Sequence, residues 1–141
     1  MPLDEARTTA DIAVDHRSDH DALHPRYNDG GWEAWIAVSG GIGFENGWLN
    51  FDSGHAAAGY RKHADGMVQI RGLVKTGADG AGMFTLPSGY RPAATLLVAI
   101  TDGAGEVVRL DLGTGGTMGP VAGINRNFVS INIMFDSTGG T

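Results

Sequence analysis

All 23 glycines of this chain lie at or beyond Gly30, and from Trp32 onward they cut the sequence into apolar stretches of a few residues each. Outside residues 90–102 and 124–138 no interval between them holds a helix of ordinary length, about 11–12 residues, and each interior glycine would cost a helix about 1 kcal/mol. Short apolar stretches bounded by turn residues are the pattern of an antiparallel all-β sandwich or barrel. The glycines follow no fixed period, which excludes propellers and solenoids. The pattern predicts strands over residues 33–38, 47–51, 58–62, 67–75, 83–86, 95–101, 106–111 and 128–135, with a ninth near 117–122.

Two of these strands define a buried face. Val129, Ile131, Ile133 and Phe135 alternate with Ser130, Asn132 and Met134, the period of two expected of a half-buried strand. Likewise Val68, Ile70, Gly72 and Val74 oppose Gln69, Arg71 and Lys75, while Met67 and Leu73 interrupt the polar side. Apolar residues scattered on an otherwise polar face are often harmless, yet in a subunit that lacks bulk they are also where neighbouring copies meet. Ala64-Asp65-Gly66 and Asp102-Gly103-Ala104-Gly105 supply residues that tolerate positive φ, so each predicts a hairpin. A strand through residues 32–38 sends Trp32 and Trp35 to opposite faces, leaving at least one for the core or a subunit interface.

The sequence divides into an arm, residues 1–28, and a sandwich, residues 29–141, which is long enough to bury one core without staples. No cysteine is present, so no disulfide framework exists. In the arm, Ser18 with Asp21 resembles a capping box and Pro25 stops the chain, which predicts a short helix from Asp19 to His24. The net charge is −6 and Lys62 and Lys75 are the only lysines, leaving no electrostatic footprint for nucleic acid. The N-terminus is polar and acidic, unlike a secretory signal. The longest apolar run, Ala93–Ile100, falls short of the roughly 20 residues a membrane span needs, so no membrane insertion is expected.

Candidate chemistry is sparse. His16, His20 and His24 are four apart and would share one stripe of a continuous helix, but the general-base Glu of a His-Glu-x-x-His zinc site is missing. That stripe reads instead as a docking helix, with Leu23 and Tyr27 as apolar anchors. Gly113–Gly119 lacks the Gly-Lys-Ser/Thr ending of a phosphate loop and reads as a flexible loop. Asp52, Ser53 and His55 crowd three triad residue types into four positions, where neighbours in sequence rarely reach triad geometry. Asp52, Asp65, Asp102, Glu106 and Asp111 are the carboxylates open to a glycan-cleaving pair, yet several stand where turns favour Asp anyway. Trp32, Trp35 and Trp48 are residues able to stack on sugars. No cofactor or metal is called for.

Several ordered motifs carry a resemblance. Ser18–Asn28, Gly30-Gly31-Trp32-Glu33-Ala34-Trp35, Phe44-Glu45-Asn46-Gly47-Trp48, Gly59-Tyr60-Arg61-Lys62, Arg71-Gly72-Leu73-Val74-Lys75 and Leu86-Pro87-Ser88-Gly89-Tyr90-Arg91-Pro92 together resemble the C-terminal β-domain of minor tail and tail-fibre proteins of tailed bacteriophages, especially those of actinobacteria. The resemblance covers residues 15–135 and implies a non-enzymatic, homotrimeric, jelly-roll-like β-sandwich on the virion surface. Fibre proteins carry this domain after a long shaft, whereas here about 28 residues precede it. That difference favours a capsid decoration protein docked through its arm, with a tail or fibre-tip protein touching a host-surface glycan as the alternative. The attachment and trimer contacts then fall to His16, His20, Leu23, His24, Tyr27, Trp32, Met67 and Leu73, and the partners to a capsid or baseplate protein.

Overall fold

The structure, a computed structural model, describes residues 30–141. The arm, its helix and the residues His16, His20, Leu23, His24 and Tyr27 lie outside the described residues. Within them the chain is all-β and antiparallel. The strands are β1 Ile36–Ala37, β2 Leu49–Asn50, β3 Gly59–Lys62, β4 Met67–Arg71, β5 Leu73–Lys75, β6 Phe84–Thr85, β7 Leu96–Asp102, β8 Val107–Leu112, β9 Thr117–Pro120, β10 Val129–Ser130 and β11 Ile133–Asp136. They form a four-stranded sheet, β1-β3-β4-β11, and a seven-stranded sheet, β2-β5-β10-β7-β8-β9-β6. Among the described residues no helix is long and apolar enough to cross a membrane.

Each predicted strand is present, and the two that defined a buried face behave as predicted. Val68, Ile70, Val74, Val129, Ile131 and Phe135 are buried, while Arg71, Asn132 and Met134 are exposed. What alternation could not reveal is that both strands change sheets midway. β4 pairs with β11 in one sheet, from Ile133↔Ile70 to Asp136↔Met67, and β5 pairs with β10 in the other, at Val129↔Val74 and Ser130↔Leu73. The paired residue numbers sum to the same value throughout, so this is one ladder bent at a corner without slippage. Strands that bend from sheet to sheet are how sandwich corners are built.

Gly72 is that corner. Its φ is +143°, and a Cβ there would lie 2.6 Å from Ala58 Cα and 2.8 Å from Ala58 N. The ladder survives through an Ile131 N–H donated to the Gly72 carbonyl at 3.0 Å, and the Gly72 N–H is taken up by Asn132 Oδ1 at 3.2 Å.

The core fills the space between the sheets, with Tyr60, Ile70 and Phe135 from one and Val74, Leu110 and Met118 from the other. Burying each such side chain contributes about 1.5–3 kcal/mol. Trp48 is the largest fully buried side chain; its ring covers Gly77, where a Cβ would sit 1.9 Å from the indole, and its Nε1–H donates to the Ala81 carbonyl at 3.3 Å. Gly113–Gly119, expected to be a flexible loop, is instead the closing turn of the β8–β9 hairpin, residues 113–116, and the first residues of β9. Gly113 and Gly116 N–H groups donate to Thr117 and Gly113 carbonyls, and Gly116 has no room for a side chain beside Leu86.

Candidate functional site

The outer face of the four-stranded sheet carries two contrasting rows. Arg61 pairs with Gln69 and Gln69 with Met134, and extending the β1–β3 register by one residue sets Trp35 opposite Arg61, so one row is bulky. The neighbouring row runs Ala37, Gly59, Arg71, so its first two positions are nearly bare. A concavity of about 200 Å³ results, with Gly59 and Ala58 at its base and Trp35, Ala37, Ala57 and Arg71 around it.

Trp32 and Trp35 do not point to opposite faces. The Arg61 Cζ lies 4.4 Å from the Trp32 ring centroid and 4.4 Å from that of Trp35, so both indoles flank one guanidinium. The reason is a one-residue slip. β1 and β3 pair Ile36 with Tyr60, which in regular register would place Trp32 opposite Ala64, yet Trp32 bridges His63. One extra residue on the β1 side is a β-bulge, and a bulge reverses the parity of everything beyond it. The slip falls between Glu33 and Ile36, and Glu33 is held inward beside it: it is 6% exposed, its N–H donates to the Lys62 carbonyl, and its Oε1 accepts from the Lys62 N–H at 3.0 Å and the Tyr90 hydroxyl at 2.6 Å.

The array continues to Arg71, whose Cζ stands 4.0 Å from the Trp35 centroid. Arg61 Nε also donates to Gln69 Oε1 at 3.0 Å, which ties the guanidinium to its cross-strand neighbour. Each exposed cation–π contact contributes about 0.5–1 kcal/mol. Two arginines and two tryptophans thus hold one another in fixed orientations over a shallow depression. That arrangement can recognise a flat or ring-shaped ligand bearing negative charge.

The turn that carries one wall is strained. Asp52, Ser53 and Gly54 have φ of 61°, 53° and 82°, three successive left-handed residues in the connection from β2 to Ala57. His55 closes it, its N–H and Nδ1 both meeting the Asp52 carbonyl oxygen at 3.1 and 3.0 Å. The Asp52–Ser53–His55 cluster is therefore joined through backbone, with the histidine ring packed edge-on to Phe51 at 5.1 Å.

The other sequence candidates fall elsewhere. Met67 opens β4 in the four-stranded sheet, opposite Asp136, whereas Leu73 lies past the corner in the seven-stranded sheet, opposite Ser130. Both are half-buried, and only Met67 shares a sheet with the Trp32 array. Asp102 is 2% exposed, and its carboxylate accepts from the N–H groups of Asn125, Glu106 and Ala104, each at 3.0 Å. Led by the Asn125 N–H, these bonds hold the carboxyl below its usual range against the opposing effect of desolvation. Asp65 accepts from the Met67 N–H at 3.0 Å, and Asp111 accepts from Arg109 Nε at 2.9 Å. Among the described residues no three His, Asp or Glu side chains gather as a metal site.

Sequence reasoning missed a second surface. On the outer face of β7–β8, Leu97 is 63% and Val107 is 76% exposed, flanking Ala99 and Thr101. Residues 96–100 are apolar on both faces of the strand, so alternation carries no sign of which side is wet.

No protein-family model matches this chain, and no curated protein matches it in sequence. Among solved structures, the receptor binding protein of Listeria phage PSA is similar, with a TM-score of 0.63 and 19% identity over 92% of this chain and 76% of that one. The two share a fold.

Proposed function

We propose that the protein is a non-enzymatic virion component of a tailed bacteriophage, carried on the tail and contacting the host surface. The observation that carries this reading is the fold shared with a phage receptor binding protein across nearly the whole chain. It supports the tail alternative over the capsid decoration reading. The rigid Trp32–Arg61–Trp35–Arg71 array supplies a surface suited to a host glycan. The protein acts as a homotrimer in this proposal, with Leu97 and Val107 of β7–β8 as the apolar surface on which copies meet.

Copy number and position on the particle test it. Quantitative mass spectrometry of purified virions is expected to give a few to a few dozen copies, with gold-labelled antibody at the tail and purified protein blocking adsorption. Hundreds of copies spread over the head would overturn the tail assignment.

A further inference from the structure

We propose that the concavity between Trp35 and Arg71 is the binding subsite for a sugar unit that bears an anionic group, a carboxylate or a phosphate. The inference rests on the host-glycan reading and names the chemistry of the ligand.

Three independent features converge there. The first is shape: Ala37 and Gly59 leave the bare patch, and the resulting volume of about 200 Å³ is smaller than the roughly 300–1,000 Å³ of drug-sized pockets, which suits one ring. The second is charge. Arg71 is exposed, stacks on Trp35, and among the described residues no acceptor takes its guanidinium N–H groups, which stand at the rim of the concavity. A guanidinium whose face is occupied by an indole keeps its N–H edge for a planar oxyanion, which it meets with two parallel hydrogen bonds. The third is strain. The left-handed run Asp52-Ser53-Gly54 leads to Ala57 on the pocket wall, and backbone held in such conformations gathers at ligand clamps.

The chemistry also excludes a neutral sugar as the preferred occupant. Among the described residues the only charged side chain lining the concavity is Arg71, and a neutral hydroxyl there would accept from it without the opposite charge and the paired parallel hydrogen bonds that an oxyanion brings.

The test titrates the full-length protein, in the oligomeric state it adopts, with three probes while following tryptophan fluorescence and heat. These are a hexuronic-acid oligosaccharide, the same oligosaccharide after carboxyl reduction, and oligomeric glycerol phosphate. At least one anionic probe is expected to bind tenfold or more tightly than the reduced one. Uronate alone identifies a carboxylate ligand and glycerol phosphate alone a phosphodiester. Arg71→Gln is expected to lower that affinity at least tenfold, Arg71→Lys to recover part of it, and Ala57→Leu, which fills the space without touching charge, to lower it comparably. Equal binding of reduced and anionic probes, no binding of either anionic probe, or indifference to Arg71→Gln overturns the proposal. Protein that blocks phage adsorption, yet is competed equally by neutral and acidic probes, overturns the subsite and keeps the host-surface reading. Tight, Arg71-dependent binding of an anionic probe by a protein found only on the head keeps the subsite and removes that reading.

Discussion

The Tyr90 hydroxyl donates to Glu33 Oε1 at 2.6 Å across 57 residues of chain, and this bond joins the Leu86–Pro92 motif to the bulge that orients the tryptophans. The motif is tied down on other sides too. Lys62 Nζ donates to the Gly89 carbonyl, and the Ser88 hydroxyl and Gly89 N–H to the Thr141 carbonyl, while Arg91 Nε closes the motif on itself at the Leu86 carbonyl. The stretch most recognisable in the sequence is thus a brace, while the Trp32–Arg61–Trp35–Arg71 array it supports is spread over β3, β4 and the segment that precedes β1.

Tyr90→Phe is therefore expected to destabilise the fold without disturbing the ring contact with Tyr60, which stands at 5.1 Å. Among the described residues Glu33 would keep only the Lys62 N–H on that oxygen, and the loss of one hydrogen bond to a buried carboxylate costs about 1.5–3 kcal/mol. Urea denaturation should show a lower midpoint with an unchanged slope; an unchanged midpoint would mean that Glu33 is held without Tyr90.

The sandwich was legible because its strands either alternate or are bounded by Asp-Gly turns. The bulge was not. Glu33 reads in sequence as a solvent-side residue, and the hydroxyl that allows it to be buried is far along the chain. With the slip unseen, Trp32 and Trp35 go to opposite faces and the array never assembles on paper. The corner at Gly72 was hidden for another reason: a strand that changes sheets keeps its period of two, so residues 67–75 look like one strand on one sheet.

Gly72→Ala tests that corner. A Cβ 2.6 Å from Ala58 Cα meets backbone, which has no rotamer to escape into, and φ of +143° is unfavourable for any L side chain. The expected loss is about 2–4 kcal/mol, read as a lowered urea midpoint or as insoluble expression. Native stability in this variant would show that the two sheets adjust independently.

Stability is expected to fall on both sides of neutral pH through two opposite shifts. The Asp102 carboxyl is held below its ordinary 3.8 in the folded chain, so its contribution is present above that value and lost as the pH falls through the folded pKa. Burial, aided by the Glu33 carboxylate, raises the Tyr60 phenol above 10.0, so its contribution is present below that value and lost as the pH rises. Asp102→Asn should flatten the acid limb of a melting-temperature profile and Tyr60→Phe the alkaline one. Parallel profiles for wild type and variants would show that other groups set both limbs.

The exposed pair on β7–β8 gives a prediction about assembly. Leu97→Glu with Val107→Glu adds like charges to a face that the proposed trimer buries, where unpaired charges are costly. Light scattering is expected to fall from three copies to one, with the monomer's far-ultraviolet dichroism still that of a β-protein. A variant that remains trimeric moves the subunit contact to another surface.

Ser53→Gly separates fold stability from ligand binding. Ser53 at φ 53° sits between Asp52 and Gly54 in a left-handed run that costs an L residue about 1–2 kcal/mol. Glycine removes that strain but adds freedom to the unfolded chain worth about 0.4–1 kcal/mol, so the net gain in stability should be about 0.5–1 kcal/mol. The same freedom loosens the turn leading to Ala57, and a less pre-organised wall binds more weakly. A higher urea midpoint together with weaker binding of the anionic oligosaccharide is the expected pair of results. A gain in stability with unchanged affinity would show that the strain serves the turn alone and not the pocket beside it.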